Sequence, residues 1–160
     1  MRLLIAAVGR LKTGPETQLL ERYIALAKGA GRPVGIGPIL FKELIEAKGQ
    51  SPAIRKADEA ERLVETSRQA DLRIALDEHG KIFDSRAFSD LLAKRRDAGV
   101  GLLAFLIGGA DGHGEAALGA CHLKLSLGPM TLPHGLARIV LAEQIYRAVT
   151  IMTGHPYHRE

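Results

Sequence analysis

The sequence predicts one α/β domain built on a mainly parallel sheet with helices on both faces. Short apolar runs suited to strands alternate with longer stretches of helical periodicity along the whole chain, the pattern of a parallel sheet covered by its own crossovers. The length of 160 residues matches a single domain at roughly 100–200 residues per domain. Apolar residues make up 46% and charged residues 25%, the balance of a globular chain, which excludes a disordered, collagen-like or coiled-coil protein.

Taken in order, Leu3–Val8 reads as a strand buried on both faces. Its resemblance to a signal peptide ends at Gly9-Arg10, where no small-residue cleavage site occurs. Thr13-Gly14-Pro15-Glu16 supplies an N-cap, a first-turn proline and the glutamate of a capping box. Leu19, Leu20, Tyr23, Ile24 and Ala27 come next at helical spacing, and Gly29 offers a stop. Residues 33–40 form a weaker, glycine-interrupted strand. Ser51-Pro52 opens a charged helix to about Gln69, with a thin stripe of Ile54, Ala57, Leu63 and Val64. Residues 72–76 are a third strand, ending in Asp77-Glu78-His79-Gly80-Lys81. Asp84 or Ser85 caps a helix with Phe88, Leu91 and Leu92 inward, which closes at Gly99. Residues 100–107 form the most hydrophobic strand, residues 115–120 a short helix, and residues 123–127 a fifth strand.

The last helix, about His134 to Thr153, is apolar on nearly every side. Leu141, Ile145, Ala148 and Met152 make one stripe, Ile139 and Tyr146 a second, and Leu136, Val140 and Ile151 a third. Such a helix is wrapped by its own chain or covered by a second subunit. A homodimer is therefore expected.

The net charge is +4, and residues 1–50 hold all of the excess, with eight Lys/Arg against four Asp/Glu. A mild basic excess fits an RNA or phosphate partner and equally an ordinary solvated surface. Cys121 is the one cysteine, so neither an internal disulfide nor a cysteine zinc cage is available, and a cytoplasmic protein is expected. No apolar run approaches the roughly 20 residues of a bilayer span, so no membrane partner is expected. Five of the six histidines lie after residue 100, where they can exchange protons near neutral pH.

Gly9-Arg10-Leu11-Lys12-Thr13-Gly14 has the glycines of a phosphate loop but continues Pro15-Glu16, without the lysine and hydroxyl that mechanism needs. Gly108–Gly114 succeeds the strongest strand, where open α/β sheets place ligands. It is read as a ligand loop or as a tight turn. No acidic residue occurs between Ala116 and Ala142, so a dinucleotide has no ribose partner there. A smaller adenosine ligand held by backbone groups remains open. Residues 127–135 hold two prolines and two glycines among apolar residues, a stiff loop whose backbone needs a ligand or neighbouring loops. Thr131 can cap the start of the last helix. The tail His155-Pro156-Tyr157-His158-Arg159-Glu160 concentrates functional groups behind an apolar helix. Its two histidines lack a third ligand, so no metal is expected. Cys121 reads as a small core residue.

Leu-Asp-x-x-Gly-Lys at 76–81, Leu-Ile-Gly-Gly-x-Asp-Gly at 106–112, Thr-Leu-Pro-His at 131–134, Tyr-Arg-Ala at 146–148 and the closing His-Pro-Tyr-His-Arg-Glu occur in order. With this length, the chain closely resembles the RlmH family of 23S rRNA pseudouridine N3-methyltransferases. The resemblance implies a SPOUT fold with a C-terminal trefoil knot, a homodimer packed through the knot, and S-adenosylmethionine as methyl donor. It places the donor at Leu76, Gly109, Gly128, Pro129, Met130, Thr131, Leu132 and Pro133. It implies 23S rRNA in the large subunit or assembled ribosome as substrate.

The N3 proton must leave during transfer. His158 is the first candidate to accept it, with Glu160 and the terminal carboxylate as alternatives; Arg159 suits phosphate or developing charge, and Tyr157 can stack on the base. His134 is a ligand contact or a structural residue, and Arg138 and Arg147 are RNA or dimer contacts. The rival reading is a non-catalytic RNA-binding module on the same fold, which would need no methyl donor.

Overall fold

The computed structural model describes residues 1–158. Among them, five strands form one sheet in the order β2-β1-β4-β3-β5, every pair parallel. The elements are β1 (Arg2–Val8), α1 (Pro15–Gly31), a 3-10 turn (Arg32–Val34), β2 (Ile39–Leu44), α2 (Pro52–Thr66), β3 (Leu72–Ile82), α3 (Ser85–Asp97), β4 (Leu102–Ile107), α4 (Glu115–Gly119), β5 (Leu123–Ser126) and α5 (His134–Thr153). The expected α/β class and helical cover on both faces are present.

Strand alternation sorts the core into two layers. Leu3, Ile5 and Ala7 of β1 face α1, α3 and α5, together with Leu103 and Phe105 of β4. Leu4, Ala6 and Val8 face the α2 side with Leu63. All of β4 is buried, which explains its uninterrupted apolar sequence.

Four boundaries differ from expectation. Helix α1 runs through Gly29 to Gly31, because Leu20, Ile24 and Ala27 continue its buried stripe. Gly14, not Thr13, stands at its N-cap without a side-chain cap; Thr17 Oγ1 instead donates to Lys12 O at 2.7 Å. Strand β2 begins at Ile39, since the glycine- and proline-rich segment before it forms the turn rather than the strand. Strand β3 continues to Ile82, but Leu76 and Lys81 both pair with Leu125, so residues 77–80 leave the ladder as a loop. Gly80 is required at this return: a Cβ there would lie 2.7 Å from the Leu125 backbone.

The thin apolar stripe of α2 lies largely at the surface, with Ile54 58% exposed and Ala57 facing solvent, while Glu59, Ala60 and Leu63 are buried. The caps of α2 and α3 are as read, Ser51 accepting from Ile54 N and Asp84 from Ala87 N. Thr131 caps nothing; Pro133 stands at the N-cap of α5 without a side-chain bond.

Helix α5 is wrapped mainly by its own chain. Ile139, Leu141, Ile145, Tyr146 and Ala148 are buried against α1, α3 and the sheet. Only the third stripe stays open, with Leu136 exposed and Val140 and Ile151 half-buried. No helix among the described residues is long and apolar enough to cross a membrane.

Arg138 is neither an RNA contact nor a surface group. Its side chain is fully buried, donating to Val8 O and to Glu43 Oε1 at 2.7 Å, so it fastens α5 to the carboxyl ends of β1 and β2. Burial pushes its guanidinium pKa down while Glu43 opposes the shift. Removing one member of a buried pair strands the other. Arg138→Ala is expected to cost about 3–5 kcal/mol, checked by urea denaturation; a loss below about 1 kcal/mol would show that this tie is unimportant.

Candidate functional site

In a parallel sheet all strands end at one edge, and loops leaving neighbouring strands meet there. The ends of β4, β3 and β5 are adjacent. The loops that leave them enclose a cavity of about 850 Å³. Leu76, Gly109, Gly128, Met130, Thr131, Leu132 and Pro133 line it, as the sequence places them; Pro129 does not. His134 lines it too, at the first turn of α5.

The cavity is held open from behind. Glu59 on α2 is 5% exposed, and its Oε1 accepts from Ala47 N at 2.9 Å. A Cβ on Gly109 would stand 2.7 Å from Glu59 Oε2 and 3.1 Å from Val8 Cγ1. Gly109 is therefore demanded by the protein behind it, not by ligand volume in front. Arg55 Nε donates to Asp111 Oδ2 at 2.7 Å, tying α2 to the glycine loop and holding the Asp111 carboxyl below its usual range. The β5–α5 loop is clamped locally: Ser126 Oγ donates to Gly128 O at 3.0 Å and accepts from Gly128 N at 3.2 Å.

Sequence reasoning missed His113 as a site residue. It is 8% exposed, lines the cavity, and its Nε2 lies 2.9 Å from Leu76 O. A carbonyl only accepts, so Nε2 carries the proton. Nδ1 is buried without a hydrogen-bond partner among the described residues. The imidazole thus bolts the glycine loop to the end of β3. A histidine between two glycines, Gly112-His113-Gly114, was the available signal. Asp77 and Glu78 also line the cavity, carried there by the segment that leaves the β3 ladder.

The tail lies elsewhere. Tyr157 stacks on Tyr146 with ring centroids 4.5 Å apart, receives the Arg147 guanidinium at 5.0 Å, and donates its hydroxyl to Glu143 Oε1 at 3.1 Å. Burial raises its phenol pKa, with help from Tyr23 and Glu143. Its ring is occupied, so it anchors the tail and does not offer a stacking face to a base. Arg147 pairs with Glu143 at 2.6 Å, and this pair belongs to the same anchor. His158 is half-buried, with Nδ1 unpartnered among the described residues; Arg159 and Glu160 lie outside the described residues.

None of residues 155–158 lines the cavity. Glu143 stands nine residues beyond His134 on α5, about 13 Å at 1.5 Å per residue. Residues 155–158 therefore do not stand beside the donor loops of their own chain. Cys121 is half-buried with its thiol pushed up to about 11, which leaves no thiolate for chemistry at neutral pH. Among the described residues no group of three or more His, Cys, Asp or Glu is placed to hold a metal.

The sequence model of the family described as predicted SPOUT methyltransferase matches residues 1–158. This chain belongs to that family. Ribosomal RNA large subunit methyltransferase H of Methylocella silvestris is 47% identical over 160 residues, covering 100% of both chains. The protein of the same name from Phenylobacterium zucineum is 48% identical with the same coverage. Among solved structures, a probable methylase family protein from Haemophilus influenzae superposes with a TM-score of 0.54 at 13% identity, covering 99% of this chain and 70% of the other. A probable methyltransferase from Bordetella pertussis gives 0.52 at 18%, covering 92% and 96%. These superpositions show the fold; the full-length relatives show the family.

For this SPOUT methyltransferase the cavity has room for an adenosine-bearing donor and combines glycine-rich backbone and apolar residues with polar ones such as Asp77, His113 and Thr131. His113 gives the site a pH dependence. Burial lowers its pKa from the ordinary 6.5, so the unfolded chain takes up a proton that the native chain resists. Stability then falls as pH drops below about 6.5 and is fully present above it. His113→Gln is expected to flatten that dependence in thermal melts between about pH 5 and 7.5. An unchanged pH profile would remove His113 from this role.

Proposed function

We propose that this chain transfers a methyl group to N3 of a pseudouridine in 23S rRNA, on the large subunit or assembled ribosome. It is an rRNA methyltransferase by family and by full-length relatives. The observation that carries the reading is the cavity where three loops rich in backbone groups meet at one sheet edge.

S-adenosylmethionine supplies an electrophilic methyl on a sulfonium. The residues that would hold it are Leu76, Gly109 and 128–133, offering backbone donors and acceptors to an adenine edge and apolar walls to its faces. His113 keeps the Leu76 carbonyl in place. Asp77 and Glu78 add negative charge at the wall, which favours a cationic donor. The reaction leaves one proton to be accepted from N3. We assign that role to His158, with Glu160 as the alternative, and charge stabilisation to Arg159. Tyr157, gripped by Tyr146, Arg147 and Glu143, orients the tail.

Because residues 155–158 do not line the cavity of their own chain, the tail is assigned to the cavity of a second copy. A homodimer supplies that copy. The open stripe Leu136, Val140 and Ile151, with Ile82 at 62% and Met130 at 79% exposure in the fold's donor-side loops, is the surface we assign to it. Burying such side chains stabilises by about 1.5–3 kcal/mol each. The family's C-terminal knot and a cytoplasmic location belong to the same proposal. The knot is supported by β5 returning beside β3, while β4 lies between β3 and β1.

Leu136→Glu is expected to shift the chain from dimer to monomer in light scattering; Tyr146→Glu is unsuitable, since Tyr146 is buried in its own subunit. A native wild-type monomer at micromolar concentration would overturn the dimer. For the tail, deleting residues 157–160 should leave donor binding intact and reduce tritium-methyl transfer to ribosomes about 100-fold. Mixing that truncated chain with a folded donor-site variant, Leu132→Arg, should restore activity, since one composite site re-forms. Failure of the mixture to exceed either component would place the tail's action within one subunit.

A further inference from the structure

The amino edge of the sheet, opposite the donor cavity, carries a second cavity of about 350 Å³ lined by Lys28, Arg32, Gly35, Ile36, Gly37 and Pro38. It is built where α1 runs into the 3-10 turn and the chain folds back towards β2. Ile36 N donates to Gly31 O at 2.9 Å, and Gly35 N to Arg32 O at 3.1 Å, so the floor is fixed by backbone bonds. Arg96 braces the wall from α3, donating to Val34 O at 2.8 Å with its Cδ 3.6 Å from where a Gly35 Cβ would stand.

Two cations face this concavity. Lys28 and Arg32 are exposed, one helical turn apart, and neither has an ion-pair partner among the described residues. No acidic residue stands three or four positions from Lys28 at the end of α1 or from Arg32 in the 3-10 turn, and the carbonyl end of α1 favours cations there. Both lie in the first 50 residues, which hold the chain's entire basic excess. Exposed Lys42 continues the positive charge along the edge strand β2 towards the donor side.

We propose that this cavity seats a phosphodiester of the substrate RNA. The proposal rests on the rRNA reading of the donor site. Residues 1–158 form a single sheet with its helices, so within them RNA is held by the catalytic domain's own surface. A phosphate oxygen at the cavity accepts from the Arg32 guanidinium and the Lys28 ammonium, and fixes the RNA backbone while a distant base enters the donor cavity. Such contacts position the RNA without reading sequence.

The test compares wild type with Lys28→Gln/Arg32→Gln, both side chains being exposed, by anisotropy of the labelled protein titrated with purified large subunits and with ribosomes across a salt series. The variant is expected to bind about 10-fold more weakly at about 100 mM salt, with a slope of log K against log salt shallower by about 1.5 to 2. Donor affinity and melting temperature should stay unchanged. Equal affinity and slope in a variant whose wild type binds overturn this site alone. A wild type that binds neither particle overturns the proposed ribosomal substrate and the site with it. A micromolar response of Lys28 and Arg32 resonances to inorganic phosphate reassigns the cavity to a free anion and overturns the RNA contact.

Discussion

The tie between Arg138 and the carboxyl end of β1 is the constraint on which the donor side of this protein depends. One guanidinium, wholly buried, reaches from α5 to Val8 O and Glu43. It sets where α5 begins, and so where His134 and the 127–133 loop stand relative to the glycine loop. A buried charge of this kind contributes little net stability, but it admits few alternative dockings, since each other arrangement leaves it unpaired. The site's geometry is a consequence of that intolerance.

Around this anchor the cavity is assembled from side chains that face away from any ligand. Glu59 and Val8 back the glycine loop, Arg55 holds Asp111, and His113 pins Leu76. Each supports backbone or a loop carboxylate, and together they hold the ligand-facing main chain in one shape. Preorganised polar backbone suits a donor with a flat heteroaromatic end and a charged centre.

Helix α5 couples the two halves of the chemistry. Its first turn lines the donor cavity, while its later turns bind Tyr157 and with it the tail. Along a straight helix these functions are separated by about 1.5 Å per residue, which keeps them apart within one subunit. The proposed dimer is what would bring them together, with the open stripe on α5 as the apolar surface assigned to it.

Sequence by itself determined the α/β class and the order of strands and helices, because apolar periodicity and clustered glycines and prolines are local properties of the chain. Of the residues that the resemblance names for the donor, all but Pro129 line the cavity, but His113, Asp77 and Glu78 join them without having been named. Tertiary structure alone decided the rest. The start of β2 depends on pairing with β1, and the loop at residues 77–80 on a ladder with β5 that no local pattern reveals. Arg138 reads as an RNA or dimer contact until Val8 and Glu43, distant in sequence, hold it buried, and Glu59 gives no local sign that it is buried. The separation of Tyr157 from the donor loops has the same origin. Sequence adjacency to α5 says nothing about which end of a 20-residue helix a group will touch, and only packing against Tyr146 and Glu143 decides it.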